Sequence, residues 1–329
     1  MLDIAFGDPR LPWPHPVCLI GWLIDRLEKF VQSFASFSCH FIKKRHAEKI
    51  AGILSLLVAC LSFWLSTLIF CRLPLIGPFL ALYLAWAGLA AGCLLSTGKL
   101  ALARVASGSL PHGREAVSWL VTRDTSSMNQ TALFKTLADT LSENYTDALL
   151  APLFWLLLLG PAGLWIYKTV STFDSRWGYR TEKWAHTGWA AARTDDALAW
   201  MPARLAPALL WLTHILMKFA KLNKWQGHWP GYVLIGRQAK TMPSPNSGWS
   251  MASCAWLCNG RMAGPDKYFG VVIEKGWLGP EKEQARDWTE QQLESLLSLI
   301  KAASLIGGLV LWLVFLGLVP IFNYVAGAI

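Results

Sequence analysis

Residues 50–70, IAGILSLLVACLSFWLSTLIF, decide the fold, because no charged side chain interrupts them. A run of about 20 apolar residues can cross the hydrocarbon core of a bilayer as a helix. Two more runs of this kind lie at 75–96 and 303–324, and a tight turn at 72–74 joins the first two. The chain is therefore predicted to be an all-α integral membrane protein with several transmembrane helices.

Basic residues at the start of the first run indicate its orientation. Lys43, Lys44, Arg45 and Lys49 lie there, and Lys and Arg are enriched in cytoplasmic loops. We therefore expect this end of the helix to lie in the cytoplasm. The second run would then return to the cytoplasm before Lys99.

The composition supports a membrane protein and argues against other classes. Hydrophobic residues make up 54% of the chain and charged residues 16%, whereas soluble domains carry roughly 25% charged residues. The 19 Trp residues suit the membrane–water interface. The net charge of +9 suits loops that face anionic headgroups, or a phosphorylated substrate. No basic run accompanies a recognised nucleic-acid motif, so nucleic acid is not an expected partner.

The segment at 148–170 is long enough to cross the membrane, but Gly160-Pro161-Ala162-Gly163 interrupts it. Proline breaks the hydrogen-bond ladder of a helix. The polar regions on both sides are basic, and a crossing helix would place them on opposite sides. A re-entrant or broken helical hairpin would keep both in the cytoplasm, which basic loops prefer. We predict the hairpin.

The remaining segments are predicted to be less regular. Residues 202–220 have the length of a membrane span, but Arg204 and His214 interrupt them, so this segment is doubtful. Residues 221–301 are polar, basic and rich in Gly and Pro, which predicts a cytoplasmic loop region ending in an amphipathic helix near 280–301. No fixed-period repeat appears, and the whole chain is predicted to be a single membrane domain.

A cluster of polar residues lies between apolar segments, within residues 167–204. Charge next to hydrocarbon is costly and is usually retained for function. The cluster therefore predicts a site for a polar, anionic ligand at the membrane surface. Its members are Asp174, Ser175, Arg193, Asp195, Asp196 and Arg204.

Asp139, Glu143 and Asp147 recur every four residues, so a helix would align them on one face. Like charges at this spacing repel unless a cation or solvent compensates. One interpretation is a Mg²⁺ site, because this ion binds to one or two carboxylates together with ligand phosphates. The other interpretation is a solvated helix face.

Asp195 and Asp196 are adjacent carboxylates that follow Arg193 closely. Acidic side chains are common partners of Mg²⁺ in phosphoryl-transfer sites. A structural ion pair with Arg193 or Arg204 is the alternative, and the spacing does not separate the two.

Arg123-Asp124-Thr125-Ser126 also has two interpretations. Asp124 or Thr125 could cap a helix, or Arg123 could bind a phosphate. The chain has no P-loop and no GxGxxG sequence, so any bound ATP would be held in another way. The histidines form no metal pattern, and the seven scattered Cys residues are expected to be reduced.

With these motifs the chain resembles the adenosylcobinamide-phosphate synthase family of cobalamin biosynthesis, CobD/CbiB. The resemblance runs nearly from end to end. Its first half is carried by Gly7-Asp8-Pro9, Pro14-His15-Pro16-Val17, Gly21, Arg123-Asp124-Thr125-Ser126, Glu143-Asn144, Asp147 and Ala151-Pro152-Leu153-Phe154. Its second half is carried by Tyr167-Lys168, Thr172, Asp174-Ser175, Gly178-Tyr179, Ala192-Arg193, Asp195-Asp196, Pro202-Ala203-Arg204-Leu205, Ser244-Pro245-Asn246, Trp249, Gly264-Pro265, Tyr268-Phe269-Gly270 and Trp277-Leu278-Gly279.

The resemblance implies a membrane ligase that forms a carbon–nitrogen bond. Members join the carboxylate of adenosylcobyric acid to the amine of aminopropanol or its phosphate, with ATP as co-substrate and Mg²⁺. It also implies a place in the bacterial cytoplasmic (inner) membrane, with the polar motifs facing the cytoplasm. The implied partners are the corrinoid, the amino alcohol, the lipid bilayer and other membrane enzymes of late cobalamin assembly.

The resemblance also implies roles for matching residues of this chain. The catalytic set is Arg123, Asp124, Glu143, Asp147, Asp174, Ser175, Arg193, Asp195 and Asp196. The substrate-binding set is Lys168, Tyr179, Arg204, Asn246, Trp249 and Tyr268. The Mg²⁺ set is Glu143, Asp147, Asp195 and Asp196.

The chain departs from the family pattern at several positions. Met242 stands where the family has His, Met251 where it has Glu, and Ala199 where it has Asn. The alternative function is therefore a diverged, non-catalytic membrane protein with a regulatory or sensory role, similar to the AmpE-like proteins. Those proteins lack most of the Asp-Ser and Asp-Asp motifs retained here, which favours the enzyme. A transporter is a weaker alternative, because the chain has no repeated halves.

Overall fold

The computed structural model describes residues 2–9, 12–38, 42–178, 183–220, 227–268 and 271–327, with side chains for all of these except 38, 267, 268, 271 and 318–327. The fold is almost entirely helical, as the sequence predicts. The helices within the described ranges are α1 (Leu2–Phe6), α2 (Pro16–Ser38), α3 (Lys44–Cys71), α4 (Gly77–Gly88), α5 (Ala91–Ala106), α6 (Leu110–Ser118), α7 (Gln130–Tyr145), α8 (Ala151–Trp177), α9 (Trp189–Leu198), α10 (Trp200–Phe219), α11 (Tyr232–Ala239), α12 (Ser247–Cys258) and α13 (Glu290–Gly327).

Short elements complete the fold. A π-helical turn, Thr146–Leu150, joins α7 to α8. The strands are β1 (Met262–Ala263), β2 (Asp266–Tyr268), β3 (Val271–Ile273) and β4 (Trp277–Leu278). They form two antiparallel ribbons, β1 with β4 and β2 with β3.

Four helical segments of the described chain are long and apolar enough to cross a membrane. They are Lys44–Cys71, Gly77–Ala106, Gln130–Trp177 and Glu290–Gly317. The predicted runs at 50–70 and 75–96 overlap the first two, and the run at 303–324 lies within α13. The class of fold is therefore confirmed as an all-α membrane protein.

The second segment is not one continuous helix, contrary to the prediction for 75–96. α4 ends at Gly88 because Leu89 is extended, with φ −95° and ψ 133°. The Gly92 N–H at the start of α5 donates to the Asp3 carboxylate of α1 at 2.8 Å. A Cβ at Gly92 would lie 2.0 Å from the Asp3 carbonyl oxygen, so only glycine fits there. The break thus depends on a residue far away in the sequence.

The predicted hairpin forms at Gly160. This residue has φ 68° and ψ −165°, a conformation open to glycine alone, and it divides α8 into two arms. The Tyr167 hydroxyl donates to Asp147 Oδ1 at 3.3 Å. Twenty residues of straight helix would separate the two positions by about 30 Å, so the arms fold back on one another. The long segment Gln130–Trp177 therefore contains a reversal.

Residues 221–301 are not the loop region that the sequence predicts. Their described part contains α11, α12, all four strands and the start of α13. α12 is buried along nearly its whole length. Its sequence, SGWSMASCAWLC, is rich in small residues that let the helix fit between α7, α10 and α11. The amphipathic helix predicted near 280–301 is instead the beginning of α13, which continues without a break into the last predicted span.

The doubtful segment 202–220 is helical and forms most of α10. It is not among the segments that qualify as membrane spans. Pro202, Ala203, Ala206 and Leu210 are buried, and α10 packs against α12 and α13.

Candidate functional site

A polar cleft of about 420 Å³ opens between the loop before α7, α7 itself and the second arm of α8. The cleft brings together five residues of the predicted catalytic set from distant parts of the sequence. These are Arg123, Glu143, Asp147, Asp174 and Ser175. Thr122, Thr140 and Asn144 complete its polar lining.

The π-helical turn places Asp147 in the cleft. Such turns insert an extra residue into a helix and are frequent at functional sites. Asp147 is partly buried, and Oδ1 accepts the Tyr167 hydroxyl from the facing arm of the hairpin. The hairpin therefore holds the Asp147 carboxylate at the junction of its two arms.

The alternative of a solvated face for Asp139, Glu143 and Asp147 is wrong. Asp139 is fully buried and accepts Arg123 Nη1 at 2.6 Å and Lys135 Nζ at 3.0 Å. Glu143 and Asp147 are partly buried and line the cleft. Asp139 is thus a structural residue behind the cleft, although the spacing groups it with the other two.

Arg123 lines the cleft and is 7% exposed. Besides Asp139, Asp266 Oδ2 lies 3.1 Å from its Nη1. The interpretation of Asp124 or Thr125 as a helix cap is wrong, because Asn129 caps α7 by accepting the Ala132 N–H at 2.9 Å. Asp124 instead accepts the Ser126 N–H at 3.0 Å and closes a local turn.

Asp195 extends the acidic site from α9. Burial, together with the charges of Asp147, Asp174 and Asp196, raises the pKa of Asp195 to about 8. Its Oδ1 atom is buried and has no hydrogen-bond partner among the described residues. Nor does it form an ion pair with Arg193 or Arg204 there, so for Asp195 the structural ion-pair alternative is wrong.

These carboxylates suit a divalent cation that keeps part of its water shell. They do not form a complete set of protein ligands. Within the described part of the chain, no three His, Cys, Asp or Glu side chains are arranged to hold a metal by themselves. Mg²⁺ needs only one or two carboxylates, because water and phosphate oxygens complete its shell. The unpartnered Oδ1 of Asp195, surrounded by the charges of Asp147, Asp174 and Asp196, suits such an ion.

An arginine between aromatic rings lies next to the acidic site, and we call it the arginine shelf. The Arg204 guanidinium lies 4.2 Å from the Trp200 ring centre and 5.1 Å from that of Trp249. Tyr232 packs on Trp249 at 5.2 Å between ring centres. Asn246 Oδ1 accepts Arg204 Nη1 at 3.2 Å. The shelf thus unites three predicted substrate-binding residues, Arg204, Asn246 and Trp249.

The hairpin also places Lys168 beside the N-terminal motif. The charges of Asp147, Asp8 and Asp3 act on its ammonium group. His15 lies near it too, and His15 Nδ1 accepts the Val17 N–H at 3.3 Å. Asp8 is not among the predicted site residues, although the Gly7-Asp8-Pro9 motif was a signal for it.

Other predicted site residues remain apart from this arrangement. The Arg193 side chain is exposed. Ser175 lines the cleft, but its hydroxyl donates to the Ser171 carbonyl at 2.8 Å. Tyr179 lies outside the described residues, and the side chain of Tyr268 is not described. Met251 is fully buried within α12, so the family's Glu would be enclosed at that position.

The fold and the cleft define a class: a helical membrane protein with a partly buried cleft that is lined by carboxylates and an arginine. Within that class, the sequence model of the CobD/Cbib protein family matches residues 1–300. The chain belongs to the CobD/CbiB family.

Relatives of similar length support the assignment. The chain is 32% identical over 296 residues to a cobalamin biosynthesis protein CobD of Photorhabdus laumondii, covering 86% of each chain. It is 33% identical over 288 residues to the protein of that name from Geobacter metallireducens, covering 85% of this chain and 84% of the relative. The Klebsiella pneumoniae relative is 31% identical over 308 residues, with 92% and 91% covered. No solved structure matches the chain.

Proposed function

We propose that this protein acts in cobalamin biosynthesis and catalyses the ATP- and Mg²⁺-dependent joining of adenosylcobyric acid to aminopropanol or aminopropanol phosphate. The family and the names of its relatives support the pathway. The observation that carries the chemistry is the buried, unpartnered Oδ1 of Asp195 among the charges of Asp147, Asp174 and Asp196.

Forming an amide from a carboxylate requires that one carboxylate oxygen leave. Transfer of the γ-phosphoryl group of ATP to that oxygen gives an acyl phosphate and ADP. The amine then attacks the acyl carbon, loses a proton, and expels phosphate to leave the amide. Both steps gather negative charge on phosphate oxygens, so the site needs cations.

The residues of the cleft suit these needs. Asp195 and Asp147 would hold Mg²⁺, with Glu143 and Asp196 near it. When bound, Mg²⁺ neutralises phosphate charge and orients the nucleotide. Arg123 lines the cleft with its guanidinium, which binds phosphate oxygens in a fixed geometry. Lys168 lies next to Asp147 and would orient the carboxylate of the corrinoid by its charge.

The arginine shelf suits the corrinoid. A corrin ring is large and flat, and Trp200 and Tyr232 are 49% and 43% exposed. Aromatic rings bind flat apolar faces, while the Arg204 guanidinium offers donors to amide or carboxylate groups. Asn246 connects this shelf to the acidic cleft, because its amide donates to the Asp196 carbonyl at 2.8 Å.

The four apolar segments suit a protein of the bacterial cytoplasmic membrane. The basic residues that flank the polar motifs favour the cytoplasmic face, where ATP is available. Other membrane enzymes of late cobalamin assembly are natural partners on that face, because they would use the same large corrinoid.

The direct test is a reaction with purified protein in detergent. Adenosylcobyric acid, aminopropanol phosphate, ATP and MgCl₂ are supplied together, and the corrinoid product is identified by its mass. We expect adenosylcobinamide phosphate, with one ADP and one phosphate released per product. Omission of ATP, of Mg²⁺ or of the amine should each abolish the product.

Two outcomes would contradict the proposal. Product that forms without ATP would exclude phosphoryl activation of the carboxylate. Absence of product from folded protein that still binds the corrinoid, under conditions where a typical relative is active, would favour the non-catalytic alternative.

A further inference from the structure

Three cations of the described chain converge on Asp266, a residue of strand β2 that is not among the predicted site residues. Arg123 Nη1 lies 3.1 Å from Asp266 Oδ2, and Lys275 Nζ lies 3.6 Å from the same oxygen. Lys135 Nζ lies 4.0 Å from Oδ1. Because Arg123 and Lys275 contact one oxygen atom, their charges are close enough to bind a single phosphate group together.

Contacts of strand β1 and of Gly276 fix the position of the chain next to Lys275. Asp139, which is fully buried, accepts the Ala263 N–H of β1 at 3.0 Å. β1 pairs with β4, and the Gly264 N–H donates to the carbonyl of Gly276, the residue after Lys275, at 3.2 Å. A Cβ on Gly276 would lie 2.1 Å from Thr241 Oγ1, so a larger residue at this position would clash with Thr241. Asp139 therefore anchors the ribbon that carries Lys275.

Lys275 joins Arg123 at Asp266, next to the cleft. Its side chain is 7% exposed, and Arg123 and Lys275 are the two cations whose charges act on Glu143. Glu143 lines the cleft together with Asp147. The cationic group that Arg123 and Lys275 form on Asp266 thus borders the acidic lining of the cleft at Arg123.

We propose that Lys275 is a further substrate-binding residue, and that Lys275 and Arg123 together bind the nucleotide phosphates while the carboxylates hold the accompanying Mg²⁺. This inference rests on the proposed function and deepens it. Asp266 and Asp139 are positioning residues, since each holds cations at a fixed place. Arg123, Lys135 and Lys275 carry three positive charges against these two carboxylates. When Mg²⁺ occupies the neighbouring carboxylates, the remaining positive charge of these three side chains is available to bind phosphate.

The experiment uses magnesium pyrophosphate as the probe, because its binding needs no reaction. Calorimetry on the full chain in detergent compares wild type with Lys275→Gln, Lys275→Arg and Lys282→Gln. Lys282 is exposed in the segment that follows β4 and is the charge-matched control. Loss of a charge-assisted hydrogen bond should weaken binding by about tenfold or more in Lys275→Gln. Lys275→Arg should restore most of the affinity, and Lys282→Gln should bind like wild type.

Several results would overturn the inference. The inference fails if wild-type protein does not bind pyrophosphate, or if folded Lys275→Gln binds it normally. It also fails if Lys282→Gln weakens binding as much as Lys275→Gln does. If Lys275→Gln does not fold, wild-type protein is treated with pyridoxal 5′-phosphate, reduced with borohydride and mapped by mass spectrometry. Labelling of Lys275 that magnesium pyrophosphate suppresses supports the proposal. Absent labelling, or labelling that pyrophosphate does not change, contradicts it.

The two proposals fail in different ways. If wild type makes no amide but binds pyrophosphate through Lys275, the proposed reaction is wrong and the phosphate site remains. If wild type makes the amide and Lys275→Gln keeps its KM for ATP, the reaction remains and this role of Lys275 is wrong.

Discussion

The Asn246 side chain donates to the backbone carbonyl of Asp196 at 2.8 Å and accepts Arg204 Nη1 at 3.2 Å. Asn246 is 6% exposed, so these bonds are sheltered from water. One amide thereby connects the acidic end of α9 to the arginine shelf. Asn246 itself lies 50 residues after Asp196 in the sequence, so a distant residue holds the two parts together.

Replacement of Asn246 should separate these two parts. Asn246→Asp keeps an acceptor for Arg204 but loses the donor to Asp196, whereas Asn246→Ala loses both. A lost buried hydrogen bond costs roughly 1–3 kcal/mol, so we expect KM for the corrinoid to rise about fivefold or more in Asn246→Asp, and further in Asn246→Ala. KM for ATP should change little. Steady-state kinetics with each substrate varied checks this, and equal changes in both KM values would contradict it.

Asp195→Asn should reduce turnover by about a hundredfold or more, because the substitution removes a negative charge expected to hold Mg²⁺ near the transferred phosphoryl group. The amide has nearly the same shape, so the variant should remain folded and bind the corrinoid normally. The measurement is kcat with saturating substrates, alongside corrinoid binding. Near-normal turnover would give Asp195 a structural role only.

The raised pKa of Asp195 also predicts how stability depends on pH. Its folded value of about 8 exceeds the unfolded value of about 4, so the folded state binds the proton more tightly. The free energy of unfolding should therefore fall as pH rises from about 4 to 8 in Mg²⁺-free buffer. Asp195→Asn has no carboxyl group at this position and therefore lacks this pH-dependent loss of stability. Its Tm should exceed that of wild type by several degrees at pH 8 and by almost nothing at pH 4.

Mg²⁺ gives this comparison its control. A ligand that binds the folded state alone raises Tm, so MgCl₂ should stabilise wild type at pH 8 and have a smaller effect on Asp195→Asn. Thermal unfolding in detergent measures both effects. Equal stabilisation of the two proteins by Mg²⁺ would place the ion elsewhere.

Gly160→Ala should destabilise the hairpin. Its φ of 68° and ψ of −165° are accessible to glycine alone, and an L-residue there costs about 1–3 kcal/mol. Gly317→Ala is the matched control, because Gly317 lies within a helix with open space around it. The control should be neutral or slightly stabilising. Unfolding curves compare the variants, and equal stability of Gly160→Ala and wild type would show that the turn carries no strain.

The polar motifs are predicted to share the cytoplasmic face. Single cysteines at Ser127, Ser175, Ala197 and Ser244, in a variant without reactive native cysteines, should react only with reagents that reach the cytoplasm. A cysteine at Arg72, in the turn between α3 and α4, should react from the opposite side. Periplasmic labelling at Ser175 would mean that 148–170 crosses the membrane and would divide the proposed site.

The main features of the fold could be predicted from local patterns, because hydropathy and the Gly160-Pro161 interruption act locally. The break at Leu89 could not, since it depends on a cap from Asp3. The burial of α12 was also missed. Its small polar residues are typical of a loop, whereas Ser250 and Ser253 are fully buried in the packed helix.

The candidate site, too, could be predicted only in part from local motifs. Motifs identified the residues of the cleft and the arginine shelf. They also grouped Asp139 with the other acidic residues, although the Lys135–Asp139 spacing of four was a signal for an ion pair. Asp266 and Lys275 had no local signal, because the ribbons that carry them meet α7 only in the folded chain.

The hairpin at Gly160 also has a consequence for biogenesis. The apolar stretches before and after Gly160 within 148–170 are each shorter than a span, yet the whole run, whose one charged residue is Lys168, reaches the insertion machinery as one segment of spanning length. Tyr167 and Ala151 pack against Ala199 and Leu198, which follow this segment in the chain and reach the membrane after it. We therefore expect the contacts that hold the two arms together to be completed only when α9 has followed, so that the final topology of this segment depends on residues that come after it.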